Sequence, residues 1–141
     1  MGGIAYSAGA RVRQNGGMAA KATDAFDDVF RALRAILRRH ARALAVSKDV
    51  PGNLYVNTRK PHPNGGPMFF GAVRRGKAYV SYHLMPLYGV PALRDGLSPA
   101  LRKRMQGKSC FNFRKPEPEL FDELDALTKR GLDAFRKAGY A

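Results

Sequence analysis

The segment KAYVSYHLMPLY, Lys77 to Tyr88, decides the fold. Its residues alternate: Ala78, Val80, Tyr82 and Leu84 on one face, Tyr79, Ser81, His83 and Met85 on the other, until Pro86 removes a ladder donor. This period of two predicts a strand over Lys77–Met85, apolar on one side and mixed on the other. Such a strand lies on a helix layer with its apolar side and presents the mixed side to water, a ligand or a partner. The mixed face is therefore where a site is expected.

Working outward, Met68 to Arg74 reads as a second strand, joined to the first by the tight turn Arg75-Gly76. The loop PHPNGGP, Pro61 to Pro67, connects it back to a strand over Asn53–Arg59. Upstream, Phe26, Phe30, Leu33, Leu37, Ala41 and Leu44 recur at spacings of three and four, which predicts a helix from an N-cap at Thr23 to the stop Pro51-Gly52. Downstream, Pro91 to Gly96 reads as one helical turn. Ser98-Pro99 opens a short basic helix, Ala100 to Gln106, closed by Gly107. Ser109 to Arg114 alternates again as a fourth strand. A terminal helix after Pro118 turns Leu120, Leu124, Leu127 and Phe135 inward and stops at Gly139. The predicted architecture is α+β: a two-layer sandwich with a four-stranded, mainly antiparallel sheet and helices on one face, in the order α-β-β-β-α-β-α.

The 141 residues suffice for one domain with a real core. We expect a single domain over 18–141 and a loose, Gly-rich N-terminal extension over 1–17. Twenty-five Lys and Arg against 11 Asp and Glu give a formal charge of +14, a field that attracts phosphates, nucleic acid or anionic surfaces. The single cysteine, Cys110, cannot form an internal disulfide, and no segment is apolar over the roughly 20 residues a membrane span needs. The reading is a cytoplasmic protein without a membrane partner.

Familiar catalytic and metal motifs are missing. GAVRRGKA, Gly71 to Ala78, matches a phosphate-binding loop up to the last position, where Ala78 replaces the magnesium-binding hydroxyl, and it runs into a strand instead of a helix. Gly107-Lys108-Ser109 also enters a strand. No zinc, calcium-loop or nucleophile-elbow pattern occurs, and no set of nucleophile, base and orienting group assembles from spacing. The chain is not read as an enzyme.

Met68 onward, with YHLMPLY (Tyr82–Tyr88), LSPALRKRMQGKSCFNF (Leu97–Phe113) and ELFDEL (Glu119–Leu124), resembles the YdhG-like domain-of-unknown-function proteins of bacteria. The resemblance covers roughly Thr23 to Tyr140, and a strand histidine paired with a Gly-Lys entering a strand is its most specific part. Some members are described as frataxin-like iron chaperones. The resemblance thus implies iron as a candidate cargo, with oxygen ligands drawn from Asp24, Asp27, Asp28, Glu119, Asp122 and Glu123.

Three functions are carried forward, two from the residues and one from the resemblance. The first is a small-ligand or partner-binding module that takes an anion or a protein on the mixed sheet face through His83, Tyr79, Lys108 and Cys110. Such a site should strengthen below about pH 6.5 as His83 gains a proton. The second is the iron chaperone. The third is nonspecific nucleic-acid binding through the helical stripe Arg31, Arg34, Arg38 and Arg42. Of the other histidines, His40 reads as a solvated side chain and His62 as loop polarity. Cys110 reads as a small buried hydrophobe.

Overall fold

A computed structural model describes residues 18–61 and 66–141, so the expected extension over 1–17 and His62 lie outside the described residues. The fold is α+β, but the sheet has six strands. They are β1 (Leu44–Val50), β2 (Asn53–Pro61), β3 (Pro67–Arg75), β4 (Val80–Leu84), β5 (Met105–Gln106) and β6 (Cys110–Phe113). All neighbours run antiparallel, in the spatial order β1-β2-β3-β4-β6-β5. Helices α1 (Met18–Arg39) and α4 (Pro118–Lys137) pack together on one face of the sheet, with the short turns α2 (Pro86–Gly89) and α3 (Pro99–Arg102) at its end.

Two strands were hidden from the sequence reading. The helical spacing that ran on to Leu44 stops at Arg39, and Leu44–Val50 is instead the edge strand β1. Leu44 is buried under either reading, so its apolar character cannot tell them apart. Val46 and Val50 favour a strand, Ser47 and Asp49 are poor helix formers, and Pro51-Gly52 closes a β1–β2 hairpin with Gly52 at φ 78°. Likewise the helix foreseen to Gln106 ends at Arg102. Met105 and Gln106 pair with Phe111 and Cys110 around Gly107 at φ 74°. Gly107 is thus a strand-turn residue and not a helix stop.

Other local signals hold. Ser98 caps α3, its Oγ accepting from Leu101 N at 3.1 Å, with Pro99 in the first turn. Helix α4 ends at Gly139 with φ 88°. Thr23, expected as an N-cap, lies inside α1, which begins at Met18.

The core lies between the helix pair and one sheet face. Val80, Tyr82 and Leu84 of β4 are fully buried there with Leu54, Val56, Val73, Phe111 and Phe113. Phe70 meets Phe135 of α4 edge-to-face at 5.7 Å, and Phe113 meets Phe121 at 5.0 Å. Each such side chain stabilises the fold by about 1.5–3 kcal/mol. At Gly71 of β3 a β-carbon would stand 3.0 Å from the His83 carbonyl and 3.3 Å from Leu37 of α1. The missing side chain lets α1 settle onto the centre of the sheet.

Candidate functional site

Among the described residues no helix covers the second sheet face. Alternation turns Ser81 and His83 of β4, Cys110 and Asn112 of β6, Gln106 of β5, Ala72 and Arg74 of β3, and Tyr55 of β2 toward it. This is the mixed face expected from the sequence. No described strand residue turns a carboxylate toward it. Asp49, the sole acid in a strand, pairs in register with buried Leu54 and turns to the helix side. There Arg34 Nε and Nη2 donate to it at 2.9 and 2.6 Å, holding its carboxyl below the usual range.

Two neighbourhoods divide the face. The first surrounds His83, which stands opposite Cys110 in the ladder. His83 Nε2 and Ser109 Oγ are 2.8 Å apart, Phe69 meets the imidazole edge-to-face at 5.1 Å, and Tyr55 stacks on Phe69 at 4.7 Å. Burial lowers the pKa of His83 and raises that of the Cys110 thiol. Protonation of His83 therefore begins lower than the expected pH of about 6.5. Serine and histidine stand at the distance of a nucleophile and its base, yet no described carboxylate on this face orients the ring. Lys108 is exposed in the β5–β6 turn.

The second neighbourhood surrounds Tyr79, half-buried just before β4. Two clefts meet at this ring. One, of about 650 Å³, reaches Gln106 and Asn112 and is rimmed by Lys103, Arg114 and Lys115. The other, of about 770 Å³, reaches Ser81 and is rimmed by Arg74 and Lys77. Ser81 Oγ donates to Asn112 Oδ1 at 2.9 Å and Asn112 Nδ2 donates to Gln106 Oε1 at 2.6 Å, a polar line across three strands. The one acid in either lining is Glu117, which accepts from Arg104 Nε and Nη2 at 2.7 and 2.9 Å. That fork, helped by the nearby Lys115 charge, holds the Glu117 carboxyl below its ordinary range and leaves Lys103 and Arg114 without a carboxylate partner among the described residues.

The structure thus brings Tyr79, His83 and Cys110 to one face, and of these Tyr79 lines the two clefts described. Lys103, Arg114 and Lys115 escaped the sequence reading because isolated basic residues beside a turn carry no period. Tyr55 and Phe69 escaped because a strand aromatic reads equally as core.

Several of the other candidate groups are held in ion pairs or helix caps. Asp28 pairs with Arg31 at 3.0 Å, Asp27 lies 3.1 Å from Arg75 Nε, and Glu123 accepts from Ser98 N and Oγ at 2.8 and 2.6 Å. Glu119 and Asp122 stand on α4, away from the acids of α1, and the side chain of Asp24 is not among those described. Among the described residues no three His, Cys, Asp or Glu gather as a metal site. In the arginine stripe, Arg34 and Arg38 converge on Asp49, and Arg42 lies beyond the helix in a 3-10 turn. His40 is partly exposed, as expected, but it is not free in solvent: its Nε2 lies 2.6 Å from Asp125 Oδ1, tying the end of α1 to α4.

No protein-family model, curated protein or solved structure matches the chain. Among the described residues no helix is long and apolar enough to cross a membrane.

Proposed function

We propose that the chain is a non-enzymatic binding module that holds an anionic ligand in the cleft beside Tyr79. The observation that carries this reading is the charge of the cleft: Lys103, Arg114 and Lys115 rim it, and its single acid is already neutralised by Arg104. A phosphate-bearing ligand entering there meets Lys103 and Arg114, which have no carboxylate partner among the described residues, together with Lys115 and the amides of Gln106 and Asn112, without displacing the Arg104–Glu117 fork. The YdhG-like resemblance belongs to the same proposal. Of its two most specific pieces, Met105–Phe113 spans β5 and β6 and supplies Met105, Gln106 and Asn112 to the cleft, whereas Tyr82–Tyr88 runs from the end of β4 into α2 and does not line it.

Titration calorimetry with pyrophosphate tests the reading. Arg114→Gln with Lys115→Gln should weaken binding by about tenfold or more, since hydrogen bonds to charged groups contribute about 1.5–3 kcal/mol each. His83→Gln should leave it unchanged, because His83 does not line the cleft. An affinity that survives the double substitution, or falls with His83→Gln alone, puts the site elsewhere.

A further inference from the structure

We propose that the ligand of this face is single-stranded nucleic acid, whose backbone runs through both clefts while a base stacks on Tyr79. The inference rests on the anion-binding reading and deepens it. Each cleft has its own cations, Arg74 and Lys77 on one side of Tyr79 and Lys103, Arg114 and Lys115 on the other. A lone phosphate can satisfy one set only. A ligand with several phosphates in a row uses both.

What separates the two sets fits a nucleobase. Tyr79 is partly buried where the clefts meet, and every base offers a π-face to such a ring. Beside it the hydroxyl and amides of Ser81, Asn112 and Gln106 offer donors and acceptors to a base edge. Farther across the same face, Tyr55 is 39% exposed and stacked on Phe69, a second apolar surface over which a strand can continue. Reading a duplex takes a helix or ribbon inserted into a groove, and both clefts are instead recesses at the end of a sheet. Single strands splay their bases onto such surfaces.

The test measures anisotropy of a labelled oligothymidylate about 12 nucleotides long, a duplex of equal length, and pyrophosphate as competitor, with the full chain in about 50 and 200 mM salt. The single strand should bind more tightly than the duplex. Tyr79→Leu should weaken it about tenfold, the scale of one base stack, without changing pyrophosphate affinity. Arg74→Gln with Lys77→Gln should weaken it and reduce the salt slope by roughly 0.7 for each phosphate no longer neutralised. The pair Arg31→Gln and Arg38→Gln on α1 should change neither. Thermal melting of each variant checks that it is folded. Oligothymidylate binding that ignores Tyr79→Leu, or that is weaker than duplex binding, overturns the proposal. If pyrophosphate binding still depends on Arg114 and Lys115, that result leaves the anion-binding reading standing. Absence of binding to either probe overturns both.

Discussion

Tyr82 carries a polar group to the centre of the core. Its hydroxyl lies 2.6 Å from Thr128 Oγ1, which itself donates to the Leu124 carbonyl at 2.7 Å, so the phenol is the donor and α4 the acceptor. Burial raises its pKa, and it stays a neutral donor at any ordinary pH. Tyr82→Phe removes the donor but leaves Thr128 its bond to Leu124. The expected loss is about 1 kcal/mol in a denaturant titration. A variant as stable as the parent would show that the hydroxyl pair contributes nothing net. Cys110 illustrates the opposite case, a thiol whose part-burial raises its pKa and so reduces the share of the nucleophilic thiolate.

At the scale of elements, the seat of α1 on β3 depends on Gly71. A methyl group there meets the end of the buried Leu37 side chain and a backbone carbonyl, and the carbonyl cannot yield without moving its strand. Gly71→Ala should destabilise by about 1–3 kcal/mol, the usual cost of overpacking. Equal or higher melting temperature would mean that the helix shifts freely. The carbonyl concerned belongs to His83, so the same change should disturb the open face. Much of this arrangement was legible in the sequence: the two faces of β4, the inward side of α4 and the cap at Ser98 each follow a local period or hydrogen-bonding rule. Strand β1 was not, because Ala41 and Leu44 continue a helical spacing by coincidence and only pairing with β2 decides their geometry. The cleft was illegible for a different reason. Tyr79, Lys103 and Arg114 converge through the crossover from β4 to β6, and no local pattern encodes that convergence.

For the molecule as a whole, acid should weaken the fold in two stages. His83 has a folded pKa below its unfolded value, so its contribution is complete above about pH 6.5 and declines as pH falls through the depressed value. Asp49 and Glu117 are also depressed, and their ion-paired contributions persist above about pH 4 and fade below it. Melting temperature against pH should therefore fall first below about pH 6.5 and again below about pH 4. His83→Gln should remove the first decline and keep the second; a parent-like curve in that variant would exclude His83 as the cause. Among the described residues, the partition of charge has a kinetic consequence too. Glu119, Asp122, Glu123 and Asp125 stand on α4 in the helix layer, while the two clefts of the open sheet face gather Arg74, Lys77, Lys103, Arg114 and Lys115 around a single acid, Glu117, that Arg104 already pairs. The protein is therefore an electric dipole as well as a polycation. Near a polyanion it feels a torque that turns the sheet forward before contact. Productive encounters become more frequent by an amount that added salt suppresses, with no change in any contact of the bound state.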